Sequence, residues 1–114
     1  MTAKDFISGF SKGSELQQIA FLSRLAADMT VFARDTYKAG SDDVSDPPRL
    51  RAFNELQHRV ASQLVHLLEH DQNRYPAEVF AKMVVEHATE LNCTQAVFRT
   101  FEQLAQREVV RASA

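Results

Sequence analysis

The sequence predicts an all-α fold, an antiparallel four-helix bundle in up-down-up-down order with a short N-terminal arm. Three observations carry this expectation. Apolar residues recur at intervals of three and four along most of the chain, the spacing of one face of an α-helix. Only three glycines and three prolines occur among 114 residues, too few for the many tight turns of an all-β fold. One stretch, Ala-Gly-Ser-Asp-Asp-Val-Ser-Asp-Pro-Pro at 39–48, has the composition of a loop, and the remaining connections are short. Short connections make successive helices antiparallel neighbours.

Residues 1–13 are expected as the arm, ahead of a single bundle domain over 14–112. The arm carries Phe6, Ile7 and Phe10, and one helical turn would bring Phe6 beside Phe10. These rings are expected to cover the chain's own core, the alternative being a partner subunit. The first predicted helix runs from Ser14 to Lys38. Ser14 and Gln17 have capping-box spacing, and Gly40 is a stop signal. Its inward stripe is Ile19, Leu22, Leu25, Ala26, Met29, Phe32 and Ala33.

The second predicted helix starts near Pro48, with Asp46 as its cap, and ends near residue 71. Its stripe is Phe53, Leu56, Val60, Leu64, Leu67 and Leu68. The third spans about Pro76 to Leu91, with Phe80, Met83, Val84 and Leu91 inward and Asn92 as a left-handed C-cap. The fourth runs from Thr94 to about Val110, with Val97, Phe98, Phe101, Leu104 and Ala105 inward. The first two helices read as longer than the last two by roughly two turns. A long pair overhanging a short pair would leave apolar surface for a second copy, and Phe21, Val31, Val109 and Val110 sit at or beyond the edges of their stripes. A homodimer is therefore expected, together with an unknown protein partner.

Composition narrows the function classes. Lys and Arg number 13 against 15 Asp and Glu, a net charge of −2, which argues against a broad basic surface for nucleic acid. Arg49, Arg51 and Arg59 form only a short positive stretch, interrupted by Glu55. The single Cys93 allows neither an internal disulfide nor a multi-cysteine zinc site within one chain. No apolar run approaches the ~18 residues of a membrane span, and residues 1–10 lack the apolar core of a signal peptide, so a cytoplasmic, non-membrane protein is expected. The acids at 39–48 lack the spacing, glycine and final glutamate of a calcium loop. No phosphate-binding glycine loop or nucleophile elbow occurs.

Three short strings resemble catalytic signatures without completing them. His66-Leu67-Leu68-Glu69-His70 matches the H-x-x-E-H of inverted zinc peptidases, but both histidines face away from the apolar stripe and a third ligand has no evident source. Glu55-Leu56-Gln57-His58 is half of a di-iron motif that requires two copies, and Glu55 is placed to pair with Arg59 one turn on. Arg59 and His66 have a spacing similar to the Arg-to-His signature of HEPN-type helical ribonucleases. That resemblance covers two residues, lies in the second helix rather than late in the chain, and has Val60 where the family carries a polar residue.

Helical geometry suggests one further constellation. His87 falls within the Phe80–Met83–Val84–Leu91 stripe and is expected to face inward. In an up-down bundle it lies level with Asn54, Gln57 and His58 and with the end of the first helix near Asp35. Its simplest role is a core histidine satisfied by Asn54, Gln57 or a carbonyl, because an unpartnered buried polar group costs ~1–3 kcal/mol. If these groups converge, Asn54, Gln57, His58 and His87 line a small-ligand site, and His58, His87, Glu90 and Asp35 have the donor chemistry of a divalent metal site. No cofactor is predicted. The primary expectation is a self-associating protein–protein interaction module without catalytic activity. The alternative is a metal- or small-ligand-binding bundle built on His58 and His87.

Overall fold

Thr2 starts the first helix. Its hydroxyl accepts the Asp5 N–H at 3.1 Å, and its own N–H donates to the Asp5 carboxylate at 3.1 Å. This reciprocal cap satisfies two amides that a helix start otherwise leaves open. The segment expected as an arm is thus a ten-residue helix, α1 (Ala3–Lys12), and its Phe6 and Phe10 are buried. The computed structural model describes the backbone of residues 1–38 and 47–113 and the side chains of 1–33 and 49–106. Within these, α1 is followed by α2 (Glu15–Lys38), α3 (Pro47–Leu68), α4 (Ala77–Glu90) and α5 (Thr94–Ser113), with no strand. Among the described residues the fold is all-helical, with five helices rather than the expected four. Asp46 and Gly40, and the side chains of Asp35, Val109 and Val110, lie outside the described residues.

The junctions between helices are held by side chains. Ser14 and Gln17 form the predicted capping box, with the Ser14 N–H donating to Gln17 Oε1 at 2.9 Å and the Gln17 N–H to Ser14 Oγ at 3.2 Å. Buried Gln18 reaches back and donates to the carbonyls of Phe10 and Gly13, both at 3.3 Å, which satisfies the end of α1. Two later helices close by left-handed residues. His70 has φ 54° and Asn92 has φ 61°. Beyond them, the Asp71 N–H donates to the His66 carbonyl at 2.8 Å and the Cys93 N–H to the Ala88 carbonyl at 2.9 Å. Both are Schellman closures, of which the sequence announced only the one at Asn92.

The core is aromatic at one end. Phe6 is fully buried, and its ring centroid lies 6.1, 5.5, 5.4 and 5.3 Å from those of Phe10, Phe21, Phe98 and Phe101. Phe10 also stacks on Phe80 at 6.1 Å. Gly9 permits this packing, because a Cβ there would stand 3.0 Å from the Phe101 ring. Mid-helix glycine costs about 1 kcal/mol in propensity, which this close approach offsets.

Most of the predicted stripes are inward. Leu22, Leu25, Met29, Leu56, Val60, Leu67, Val84, Leu91, Val97 and Phe98 are buried. Two aromatic residues of α2 depart from expectation. Phe21, placed at a stripe edge, is buried because α1 lays Phe6 and Phe10 against it, and Phe32, placed inward, is 53% exposed. Of the expected short pair only α4, at 14 residues, is shorter than α2 and α3 by about two turns or more, whereas α5 extends over 20 residues. The start of α2 lies near the end of α3, where Glu15 is 3.7 Å from His70 and meets Arg74 of the α3–α4 connection at 2.9 Å. Further along, Phe32 of α2 meets Phe53 of α3 at 5.6 Å. Chief packing partners are α2 with α3, α1 with α4, and α2 with α5. Among the described residues no helix is long and apolar enough to cross a membrane.

Candidate functional site

His87 is half-buried rather than fully inward. The contact face of α4 runs through Phe80, Ala81, Val84, Ala88 and Leu91, which leaves His87 at its margin. Its Nδ1 lies 3.0 Å from the Met83 carbonyl one turn earlier, so the ring is satisfied by its own helix instead of by Asn54 or Gln57. His87 and Glu90 of α4 share a shallow depression with Arg51, Asn54 and Glu55 of α3. The expected constellation therefore divides. Asn54, His87 and Glu90 border one hollow, whereas half-buried Gln57 and exposed His58 do not line it. Among the described residues no three His, Cys, Asp or Glu side chains gather as a metal-binding group, so His58, His87 and Glu90 do not form one. Asp35 lies outside the described side chains.

Glu55 pairs with Arg59 as its spacing predicts, accepting from Nε at 2.6 Å. That hydrogen bond, with the guanidinium charge, holds the Glu55 carboxyl below its ordinary range, helped by nearby His87 and His58. Arg59 also donates through Nη1 to the Tyr75 hydroxyl at 2.9 Å, its guanidinium 5.6 Å from the ring centroid. Gln63, one turn further along α3, is 1% exposed. Its Nε2 donates to the Tyr75 carbonyl at 2.9 Å, and its Oε1 accepts the Tyr75 N–H at 3.0 Å. Gln63 thus acts as a backbone strand would, pinning the α3–α4 connection to α3. Sequence reasoning passed over it, although it lies three residues beyond Val60 and four before Leu67, in register with the buried face.

The remaining strings resolve into separate local contacts. His66 Nδ1 lies 3.0 Å from Asp71 Oδ2, while His70 is in the left-handed conformation beyond the helix end. The four-residue helical register that H-x-x-E-H demands is therefore broken. Arg59 and His66 likewise have different partners, Glu55 and Tyr75 for the first and Asp71 for the second.

Asp5, Glu55 and Asp71 all titrate below their ordinary values in the folded chain. The first is lowered mainly by the Thr2 N–H, the second by Arg59, and the third by the Asn73 N–H and then His66. On acidification the unfolded chain takes up protons first, near 4.5 for Glu and 3.8 for Asp. Their stabilisation is complete above those values and disappears as the pH falls through the folded ones. Urea unfolding midpoints should accordingly fall between neutral pH and about pH 3, and less steeply in Asp71→Asn. A midpoint that stays level would contradict this origin of acid sensitivity.

A more enclosed and more apolar concavity lies elsewhere, between α2, the first half of α3, and the α4–α5 turn with the start of α5. It encloses about 380 Å³ and is walled by Leu25, Met29, Phe53, Leu56, Leu91 and Val97, with Asp28, Arg49, Asn92, Cys93 and Thr100 also on its lining. Burial pushes the Cys93 thiol up, and the Arg49 charge opposes this only in part. Neither concavity holds a nucleophile paired with a base. No protein-family model, curated protein or solved structure matches this chain.

Proposed function

We propose that the chain is a non-catalytic protein–protein interaction module that self-associates. This reading takes α2 to α5 as an up-down-up-down bundle with α1 packed on α4. The observation that supports it is a group of large apolar side chains in water at one end of the bundle. Leu16 at the start of α2 is 77% exposed, and Val65 and Leu68 at the end of α3 are 48% and 58% exposed. Glu15 lies 3.7 Å from His70, just beyond α3, and pairs with Arg74 of the α3–α4 connection, which brings these two helix ends near one another, and Val79 in the first turn of α4 is 51% exposed. Covering such surface contributes about 25 cal/mol per Å² before the costs of association. A second copy offering the same patch is the self-complementary arrangement of a twofold dimer.

Light scattering across a concentration series tests this. The expected result is a mass that rises toward twice 12.9 kDa, and that stays monomeric in the double variant Leu16→Asp, Leu68→Asp with its helical circular dichroism intact. A wild-type monomer throughout the series overturns the proposal. A second reading, a small polar ligand held between α3 and α4, is favoured by the hollow that Asn54, His87 and Glu90 share.

A further inference from the structure

We infer that the cavity between α2, α3 and the start of α5 is a binding site for an uncharged, apolar small molecule. Its volume of about 380 Å³ falls in the range of small-molecule sites, roughly 300–1,000 Å³. A half-open concavity with an apolar wall leaves its lining short of dispersion contacts, and water in it finds few polar partners. Over a floor of buried Leu25, Met29, Leu56, Leu91 and Val97, exposed Phe32 and half-buried Leu50 and Phe53 leave hydrocarbon surface open to an occupant. Phe32 and Phe53 stand together at one edge with their rings inclined at 42°, an arrangement that receives an aromatic or alkyl group.

The polar groups of the lining decide the ligand's charge. Asp28 is paired with Arg24 at 3.3 Å. The Arg49 guanidinium donates to the Leu91 carbonyl at 3.4 Å, and the Thr100 hydroxyl donates to the Ala96 carbonyl at 3.1 Å. No buried side-chain nitrogen or oxygen among the described residues lacks a partner. The described lining carries one acid, Asp28, and one base, Arg49, so its formal charges balance and an ionic headgroup of either sign gains no net attraction for the hydration it sheds, whereas a neutral molecule sheds no ionic hydration. This site is separate from the patch of Leu16, Val65 and Leu68, so the two proposals stand or fall independently.

Titration with the neutral fluorophore N-phenylnaphthylamine tests the site. The expected result is a saturable rise in fluorescence at one molecule per chain, with displacement by decanol. Ala96 is an exposed residue of the lining, and Ala96→Trp should weaken binding by about tenfold or more, ~1.4 kcal/mol, without loss of helicity. Cys93 provides a second readout on the unaltered chain, since saturating fluorophore should slow its alkylation by N-ethylmaleimide. The inference is overturned by an absence of saturable binding, or by equal affinity in Ala96→Trp with Cys93 unprotected. Decanoate displacing the probe better than decanol would overturn the assignment of a neutral ligand. Probe binding that vanishes on dilution to monomer would instead assign the groove to a second copy and overturn it too.

Discussion

Phe6→Ala is expected to lower the unfolding free energy by about 3–5 kcal/mol. Phe6 is fully buried and meets four other phenylalanines drawn from α1, α2 and α5. Deleting its ring removes the transfer free energy of a buried aromatic side chain and leaves a void bounded by rings that cannot collapse into it together. Against a typical total of 5–15 kcal/mol, such a loss takes much of the margin. The check is urea unfolding followed by circular dichroism, with a large fall in midpoint at an unchanged slope. Phe6→Leu should recover most of the loss. A change below about 1 kcal/mol would mean that α1 is not part of the cooperative core.

Gln63→Ala is expected to cost about 2–4 kcal/mol, from two hydrogen bonds and the cavity left by a buried side chain. Both bonds go to the backbone of Tyr75, so the substitution strands an amide and a carbonyl in a half-buried turn. Amide exchange distinguishes this from a general loss of packing. The Tyr75 N–H should lose protection well beyond the global change, while amides in the middle of α2 follow the global change alone. Tyr75→Phe removes only the exposed bond from Arg59 and should cost less than about 1 kcal/mol. If Gln63→Ala proves as mild as Tyr75→Phe, the paired bonds do not hold the connection.

Helix periodicity was legible wherever a long stripe of large apolar residues had one neighbour to meet, as in Leu56–Val60–Leu67 of α3. It was less informative where packing was set by elements distant in sequence. α1 is ten residues long, and its helicity rests on the Thr2–Asp5 cap and on rings contributed by α2, α4 and α5. Phe21 is buried for the same reason, since its place at a stripe edge becomes interior only once α1 covers it. On α4 the alanines at 81 and 88 take the contact face, whereas a stripe drawn through Phe80, Met83, Val84 and Leu91 puts His87 there. The candidate site suffered accordingly. Asn54, His87 and Glu90 were brought to one hollow by level and face alone, but the direction of each side chain separated Gln57 and His58 from it. The apolar cavity had no signature in the sequence, because its wall joins residues from α2, α3, the α4–α5 turn and α5 whose spacing records only that they are inward.

The Phe6 cluster also bears on how the chain acquires its structure during synthesis. Phe98 and Phe101 emerge from the ribosome more than ninety residues after Phe6, so the nascent N-terminal rings, with only Phe10 and Phe21 made early, must wait for most of translation before the cluster is complete. Until then α1 has its own hydrogen bonds and Phe21 of α2 to keep it in place, and the rest of its apolar side is open to chaperones and other nascent chains. Slow codons or a stalled ribosome ahead of α5 would prolong that interval, and aggregation during expression should track its length.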